Sequence, residues 1–288
     1  MSDMRDISGT FFCGGFVNTS KLLAGRLSGL IVVGAVTLMA APQSAYGDAE
    51  PVQADSGTTE GQTGLPGLPG LLSGSRWGII GRNTLGGPNA VLREGPYGRT
   101  GTAFAATQAP PYGQGSLGII VGSGNDKIAF GNETIFAGDR LSSIRTLRYW
   151  VFAGVDSLAG VSLPNITIEA DPNVGTADYT SLVYLPDSST SPSAPATRTP
   201  NVWQQYDAST TGSRWYATGA TGTAIGCTQA TPCSFADLKT RLPNAVVSLS
   251  LGFSKGRDNP FVGAVDGLQV NNTVYDFEFS GVRTRLAR

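Results

Sequence analysis

Histidine is missing from this chain, and its absence excludes more chemistry than any other feature of the composition. A Ser-His-Asp or Cys-His centre needs an imidazole base, and His-ligated zinc or iron needs an imidazole ligand. An enzymatic function would therefore have to use carboxylates, tyrosine, lysine or arginine.

Charge is also scarce, since Asp, Glu, Lys and Arg make up only 14% of the residues and the net charge is −1. Binding to nucleic acid or to an anionic membrane draws its affinity from clustered lysine and arginine. We therefore expect neither partner. Glycine is plentiful instead, with 39 residues, as is typical of β-proteins with many tight turns.

Long apolar runs are nearly absent. The one that occurs, LSGLIVVGAVTLMAA at residues 27–41, is shorter than the ~20 residues that span a bilayer. Lys21 and Arg26 precede it, and a small-x-small triplet, Ala-Tyr-Gly, follows and ends at residue 47. Positive, apolar and cleavable segments in this order are typical of a secretory signal peptide. We predict a signal peptide at residues 1–47, a secreted or cell-surface protein, and no stable membrane span after cleavage.

Cysteine is rare, with three residues in the chain. Cys13 lies within the predicted signal peptide, which leaves Cys227 and Cys233 in the mature protein. Two cysteines in an oxidising compartment are expected to pair. Because the two are close in sequence, the predicted disulfide closes a small ring and acts as a local staple rather than a redox centre.

The mature sequence divides into two parts. Residues 48–75 are rich in Gly, Pro and Thr without periodicity, which predicts a flexible linker. Residues 76–288 contain short β-branched and aromatic runs separated by turn residues about every ten positions. This spacing predicts an all-β domain, a two-sheet antiparallel β-sandwich of the jelly-roll type. The predicted strands are 76–80, 102–107, 116–121, 127–130, 146–153, 165–170, 181–185, 201–207, 214–218, 245–253, 262–270 and 273–279.

Two segments depart from the strand pattern. One short helix is predicted at residues 235–241, where Ser234 can cap the first turn together with Asp237, before Pro243 ends it. Residues 185–201 are a Ser/Pro/Thr interruption that is not compatible with a central strand, so a surface excursion is expected there.

Glu169 and Asp171 are the best-placed pair of carboxylates for catalysis. Strand alternation puts both on the polar face of their strand, and such neighbours lie about 6.5–7 Å apart, within the range that glycoside hydrolases use. Asp171, Asn173 and Asp178 also offer oxygen ligands of the kind that calcium takes. A third interpretation is a solvated polar face that ends in an Asp-Pro turn. The residues themselves leave all three interpretations open.

Asp276 and Glu278 form a second pair on the last predicted strand, where three aromatic residues alternate with them. We expect the aromatic rings to be buried, because they share one face of the strand. The two acids are expected to be exposed, or paired with Arg283 or Arg285.

Aromatic residues gather on the strands that flank the Ser/Pro/Thr segment. Flat rings stack on the apolar faces of sugars, and neighbouring amide side chains bond to sugar hydroxyls. We therefore predict a ligand surface formed by Tyr184, Trp203, Gln205 and Trp215. Alternation puts Trp203 and Gln205 on one face of their strand and Tyr206 on the other, so about half of the aromatic set is expected in the core. That set is Tyr184, Trp203, Tyr206, Trp215 and Tyr216.

Three motifs stand out along the domain together with Trp150: LPNITIE at residues 163–169, SLVYLP at 181–186 and GAVDGLQVNNTVYDFE at 263–278. An Asp-Gly-Leu turn followed by a Tyr-Asp-Phe-Glu strand resembles the closing strands of secreted bacterial jelly-roll domains of the laminin-G/concanavalin-like kind. The resemblance covers residues 95–279 and implies a β-sandwich. The wider class contains sugar-binding modules, adhesion domains and some glycosidases.

The chain departs from that family pattern at two points. Relatives often have an Asp-rich loop after the Glu-bearing strand, which here is reduced to Asp171-Pro172-Asn173. The Glu-x-Asp-x-x-Glu arrangement of concanavalin-like retaining glycosidases is also missing, since Glu169-Ala170-Asp171 is followed by Pro, Asn and Val. Both calcium binding and catalysis are weakened by these departures.

The sequence therefore favours a secreted or surface-associated, non-catalytic β-sandwich protein that binds glycan. No cofactor is expected, and calcium is the one candidate ion. Two other hypotheses stay open. One is a carboxylate-based polysaccharide-cleaving enzyme that uses Glu169 and Asp171, and the other is a structural surface protein that assembles with itself.

Overall fold

The structure, a computed structural model, describes residues 76–99, 107–158, 160 and 163–287. The predicted signal peptide with Cys13, the predicted linker and nearly all of the predicted strand at 102–107 lie outside the described residues. Fifteen strands and two α-helices occur in the part that is described. The strands are β1 (Trp77–Ile79), β2 (Asn89–Glu94), β3 (Gly98–Arg99), β4 (Thr107–Gln108), β5 (Gly115–Val121), β6 (Ile128–Asn132), β7 (Leu147–Ala153), β8 (Asn165–Asp171), β9 (Thr180–Tyr184), β10 (Trp203–Asp207), β11 (Trp215–Ala217), β12 (Val246–Lys255), β13 (Phe261–Val270), β14 (Thr273–Glu278) and β15 (Gly281–Leu286).

These strands form two main antiparallel sheets. Sheet 1 has six strands in the order β1-β6-β12-β8-β9-β11. Sheet 2 has seven, with β10-β7-β13-β14-β15 in one path, β5 paired to β13, and β2 paired to β5. Strands β3 and β4 make a small separate ladder. The predicted all-β sandwich is confirmed.

Aromatic rings from both sheets meet between the sheets. The ring of Tyr149 in sheet 2 lies 5.6 Å from that of Phe253 in sheet 1 and 6.2 Å from that of Tyr184, measured between ring centroids. Phe277 of sheet 2 lies 5.6 Å from Phe253 on its other side. All four rings are buried. Burial of each such side chain stabilises the fold by roughly 1.5–3 kcal/mol, so this contact is a main source of the sandwich's stability.

Strand alternation explains which side chains enter this core. In β8, Ile166, Ile168 and Ala170 are almost completely buried against sheet 2, whereas Asn165 and Thr167 point to the other face. Side chains alternate between the two faces of a strand, so a run with apolar residues at every second position can bury them all on one side. The polar residues of the same strand must then lie on the outer face of the sandwich.

Two elements that the sequence pattern misses are strands at the edges of sheet 2. Strand β2 buries only Ala90 among its six residues, and none of the residues of β15 is buried. Edge strands of this kind do not need an alternating apolar pattern, since one ladder of hydrogen bonds holds them. Helix α1 (Gly219–Ile225) is also missed, because its sequence, GATGTAI, is rich in Gly and Thr, which have low helix propensity.

Helix α2 (Phe235–Arg241) forms as predicted, with the predicted capping box. The Ser234 hydroxyl accepts a hydrogen bond from the backbone N–H of Asp237 at 3.1 Å, and the Asp237 carboxylate accepts one from the backbone N–H of Ser234 at 3.4 Å. Phe235 and Leu238, one turn apart, are fully buried. The helix therefore closes one end of the core.

The Ser/Pro/Thr interruption at residues 185–201 contains no strand, as predicted. It is nevertheless not a loose excursion, because Ser193 and Ala194 are buried. The backbone carbonyl of Ser193 accepts a hydrogen bond from the Tyr184 hydroxyl at 3.1 Å. An ion pair between Asp187 and Arg198 joins the two halves of the segment. The segment therefore packs on the core and supplies hydrogen-bond partners to it.

None of the helices in the described part of the chain has the length and apolar character that crossing a bilayer requires. The two α-helices have seven residues each.

The predicted disulfide between Cys227 and Cys233 is present, and both cysteines are buried. Cys233 pairs with Trp215 through two backbone hydrogen bonds, at 2.8 and 2.9 Å, and Cys227 follows the left-handed Gly226 that ends α1. The bridge thus ties the end of α1 to the start of β11.

We predict that replacing both cysteines by alanine lowers the free energy of unfolding by about 2 kcal/mol, because a ring this small removes little entropy from the unfolded chain. Urea unfolding of the oxidised protein and of the Cys227→Ala/Cys233→Ala variant measures this difference. Reduction of the original protein should reproduce the loss, and the variant should not respond to reductant. A reductant-insensitive original protein would contradict the disulfide.

Candidate functional site

Glu169 lies on the outer face of sheet 1, as alternation predicts, but it is only 1% exposed. Its carboxylate is covered by the 3-10 turn Gly81–Asn83 and by Tyr179. Asn83 Nδ2 and the Tyr179 hydroxyl each donate a hydrogen bond to Oε1 at 2.7 Å. The Arg82 guanidinium donates to both oxygens, and the Ser250 hydroxyl donates to Oε2. Both carboxylate oxygens are therefore occupied by protein donors.

The protonation of Glu169 follows from these contacts. Burial raises the pKa of the carboxyl, but the hydrogen bonds from Arg82, Ser250, Tyr179 and Asn83 outweigh it and hold the pKa below the usual value of 4.5. A general acid needs the opposite shift, towards neutrality. Glu169 is thus a charged structural anchor for the turn above it, and its geometry gives catalysis no support.

Asp171, Asn173 and Asp178 are the predicted calcium ligands, and Asp171 is also the second member of the predicted catalytic pair with Glu169. Asp171 Oδ1 accepts a hydrogen bond from the backbone N–H of Asn173 at 2.9 Å, and Asn173 Nδ2 donates to the Asn244 carbonyl at 2.9 Å. No described contact joins Asp178 to either residue. Within the described ranges, no three acidic or cysteine side chains are grouped so as to hold a metal ion. The loop is closed by its own hydrogen bonds, and calcium stays a prediction.

Tyr184 and Trp215, two of the four residues predicted to form a ligand surface, point into the core, and both are fully buried. Trp215 Nε1 donates to the Ala208 carbonyl at 2.7 Å, and its ring lies 5.0 Å from that of Phe235 in α2. The two residues pair across β9 and β11, so their side chains share the inner face of sheet 1. This corrects the prediction, because residues facing the other sheet are not accessible to a ligand.

Trp203 lies on the outer face of sheet 2, on the opposite side of β10 from the buried Tyr206, as predicted. It is nevertheless only 2% exposed, because Pro96 and Gln108 contact it on this face. The indole N–H donates to the Pro96 carbonyl at 2.9 Å, and Gln108 bonds to the Trp203 backbone at 2.6 and 3.2 Å. Its ring packs on Phe152. Trp203 therefore holds Pro96 and Gln108 in place and is itself closed to solvent.

Gln205 is exposed on the same outer face and lines a cavity of about 850 Å³. Strand register brings the other walls together, since Asp207 pairs with Arg148, Arg148 with Gln269, and Gln269 with Val274. Val274 in turn pairs with Arg285, so one row of side chains crosses five strands, β10, β7, β13, β14 and β15. The cavity lies along this row. Its walls include Pro111, Tyr112, Arg148, Gln205, Gln269, Val274 and Arg285.

Tyr112 forms the aromatic wall, and its position depends on a glycine. Gly267 has φ +59°, and a Cβ added there would lie 2.3 Å from Tyr112 Cε2, so only glycine allows the ring to lie this close to the sheet. The backbone N–H of Tyr112 donates to Asp266 Oδ2 at 3.2 Å. A second cavity, of about 370 Å³, shares Pro111 and Tyr112 with the first and reaches Trp150 and Trp203.

The floor of this face contains buried acids. Asp276 forms an ion pair with Arg285 at 2.6 Å, which was one of the two predicted alternatives. The other alternative, exposure to solvent, is wrong, because Asp276 and Glu278 are both buried. Glu278 accepts a hydrogen bond from the backbone N–H of Gln114 at 3.1 Å. Asp266 is fully buried and accepts hydrogen bonds from the backbone of Tyr112 and Phe277. Asp266 and Glu278 therefore hold the segment that carries Tyr112.

Burial raises the pKa of Asp266 to about 8, although backbone hydrogen bonds from Phe277, Gly267 and Tyr112 lower it. The neighbouring charge of Asp276 raises it further. A carboxyl group with no cation beside it in a buried site favours the neutral form. Asp266 is therefore protonated at neutral pH, unlike Glu169.

Tyr112, Arg148, Gln269 and Arg285 are site residues that the sequence pattern does not identify. Tyr112 lies in a Pro/Gly turn between predicted strands, where no periodicity applies. Alternation does put Arg148 and Trp150 on one face of β7, but only the register of the neighbouring strands joins Arg148 to Gln269 and Arg285. The missing signal was the pairing between strands that are distant in sequence.

We predict that Glu169→Gln lowers the free energy of unfolding at neutral pH by about 2 kcal/mol, since Arg82 loses its buried partner. The folded pKa of Glu169 is lowered, so its stabilisation is present above the usual value and is lost as pH falls through the folded pKa. Urea unfolding between about pH 3 and pH 7 should show the variant and the original converging at low pH. The control is Glu133→Gln, since Glu133 pairs with the same arginine but is exposed, and should cost less than about 0.5 kcal/mol. Equal effects of the two substitutions would contradict the anchoring role.

Asp266 makes the free energy of unfolding depend on pH in the opposite direction to Glu169. Its folded pKa is raised, so stability is greatest below the unfolded value and declines as pH rises towards about 8. We predict a decline on the order of 2 kcal/mol between about pH 5 and pH 8, which Asp266→Asn reduces. Burial also raises the pKa of Asp276, so this residue contributes to the decline in the same direction. The exposed Asp156→Asn serves as the control, and an unaltered profile in Asp266→Asn would overturn the assignment.

No family model, no curated protein and no solved structure matches this chain. The likeness to laminin-G/concanavalin-like domains therefore stays a prediction, and any functional conclusion rests on the geometry of the two outer faces.

Proposed function

We propose that this protein is a secreted or surface-associated, non-catalytic β-sandwich that binds glycan, and that the cavity beside Tyr112 and Gln205 is its binding site. One observation carries the proposal. The half-buried ring of Tyr112 and four planar polar side chains meet around one cavity on the outer face of sheet 2. The four side chains are those of Arg148, Gln205, Gln269 and Arg285.

The size of the cavity suits this ligand class. Binding sites for small ligands typically have volumes of about 300–1,000 Å³, and the value of about 850 Å³ lies in the upper part of that range. A site of this size accommodates a short oligosaccharide rather than a single small ion. The neighbouring cavity on the other side of Tyr112 provides room for the ligand to extend.

The chemistry of the walls also suits a sugar. The ring of Tyr112 can stack on the apolar face of a pyranose, and the two glutamine amides can each donate to and accept from hydroxyl groups. Arg148 uses Nε to bond to Asp207 at 2.6 Å, so its terminal nitrogens are directed elsewhere. Both arginines are neutralised, by Asp207 and Asp276, which favours a neutral polyhydroxyl ligand over an anionic one.

A catalytic role for this face has less support. Asp266 has the raised pKa of a general acid, but it is fully buried beneath the Tyr112 backbone and bonds to it. A general acid must be within hydrogen-bond reach of the substrate oxygen that it protonates. The acids below the cavity therefore act by fixing its aromatic wall.

Binding is tested by screening the protein on a glycan array and measuring the best ligand by calorimetry. We predict that Tyr112→Leu weakens binding about tenfold, because stacking is lost, whereas Tyr112→Phe retains most of the affinity. Gln205→Ala should weaken binding by about fivefold to tenfold. Gln229→Ala is the matched control, since Gln229 is exposed on the disulfide loop and lines none of these cavities.

Two results would overturn the proposal. One is the lack of binding above background to any glycan on the array. The other is binding that is equally strong in Tyr112→Leu and in the original protein, which would move the site away from this cavity. Melting temperatures of all variants should be compared first, so that a loss of binding is not a loss of folding.

A further inference from the structure

The outer face of sheet 1 carries another cavity, of about 120 Å³. It lies near the Glu169 anchor, over strands β6, β12, β8, β9 and β11. Two rows of paired residues form its floor. In the first row, Ser254 of β12 pairs with Asn165 of β8. In the second row, Thr167 of β8 pairs with Val183 of β9, and Val183 pairs with Tyr216 of β11. Lys127, just before β6, lines the cavity at one end.

Lys127 lines this cavity, and no counter-ion for it occurs among the described residues. Its backbone is fixed by two hydrogen bonds with Leu85, at 2.8 and 2.9 Å. No described residue accepts a hydrogen bond from its ammonium group or forms an ion pair with it. Burial lowers the pKa of Lys127, while the charge of Glu169 raises it and that of Arg257 lowers it. A partly desolvated cation in this position is stabilised by an anion.

Glu169 cannot serve as that anion. Its two oxygens are already occupied by Arg82, Asn83, Tyr179 and Ser250, and the charge of Arg82 neutralises it locally. The attraction between Glu169 and Lys127 is therefore long-range, without a direct contact.

Two further donors, an amide and a phenol hydroxyl, line the cavity beside Lys127. Asn165 Oδ1 accepts hydrogen bonds from the hydroxyls of Thr167 and Ser254, at 2.8 and 2.7 Å, which leaves its Nδ2 group without an acceptor among the described residues. The hydroxyl of Tyr216 likewise has no described partner. Three donors, one of them charged, thus line one small cavity and have no acceptor in the part of the chain that the structure describes.

We propose that this cavity binds the carboxylate group of a small ligand, with Lys127 as the counter-ion and Asn165 Nδ2 and the Tyr216 hydroxyl as donors. The cavity volume of about 120 Å³ is what about four water molecules occupy in the liquid. A carboxylate group and two or three further atoms fit in this space. The ligand is therefore a short organic acid or the carboxylate edge of a uronic acid unit. The site lies on the opposite sheet from the glycan cavity and does not depend on it.

Titration of the ¹⁵N-labelled protein with sodium acetate, glucuronate, glucose and inorganic phosphate, followed by amide chemical shifts, tests the proposal. We expect at least one of the two carboxylates to shift amides around Lys127 and Tyr216, and glucose to leave them unchanged. Lys127→Gln should weaken carboxylate binding about tenfold, as expected for loss of a charge-assisted hydrogen bond. Lys239→Gln is the matched control, since Lys239 lies on α2 beside Phe235 and should change the affinity by less than about twofold.

The comparison of acetate with glucuronate shows which class of carboxylate the site prefers. Binding of glucuronate but not acetate assigns the site to an acidic sugar, and equal binding assigns it to a short organic acid.

Tyr216→Phe, which keeps the ring, gives a second test if Lys127→Gln does not fold, with about threefold weaker binding expected. The proposal is overturned if neither carboxylate binds, if glucose causes the same shifts, or if phosphate binds more tightly than both carboxylates. Tyr112→Leu should leave these shifts intact, which keeps this result separate from the glycan proposal.

Discussion

The contact between the two sheets, made by the rings of Tyr149, Phe253 and Phe277, limits every functional interpretation of this protein. The inner faces of both sheets are filled by this core, so a side chain that meets a ligand must project from an outer face. Strand alternation then decides which residues those are, because each residue of a strand has only two faces available. Trp215 and Trp203 illustrate the result, since the first is part of the core and the second lies on an outer face beneath Pro96 and Gln108.

Buried carboxylates lie on both outer faces. On each face they accept hydrogen bonds from a segment that packs over the sheet and so hold that segment in place. Glu169 is charged and accepts hydrogen bonds from the turn Gly81–Asn83 and from Tyr179, whereas Asp266 has no cation beside it among the described residues and its pKa is raised. The difference follows from the partners, since a guanidinium stabilises the charged form and burial alone destabilises it. The acids therefore act as supports, and the groups left accessible on these faces are donors, amides and aromatic rings.

Sequence reasoning predicted the sandwich, the disulfide and helix α2 because each depends on local information. Alternating apolar residues, two cysteines in the predicted mature chain, and a serine three residues before an aspartate are all visible within short windows. Edge strand β15 was missed because it buries no side chain, and α1 because its composition is poor in helix formers. The ligand-surface prediction identified Gln205 as accessible but assigned Trp215 and Tyr184 to the wrong face, since flanking strands do not reveal which sheet they join.

The sequence by itself determined the class of fold and the exclusion of histidine chemistry, because composition and periodicity set which backbone pattern and which functional groups are available. Only the tertiary structure decided which of those groups meet. Arg148, Gln269 and Arg285 are brought into one row by the register of β7, β13, β14 and β15, and Lys127 and Tyr216 are brought to one cavity by the order of strands in sheet 1. Register and strand order depend on contacts between residues far apart in the chain, which no local pattern records.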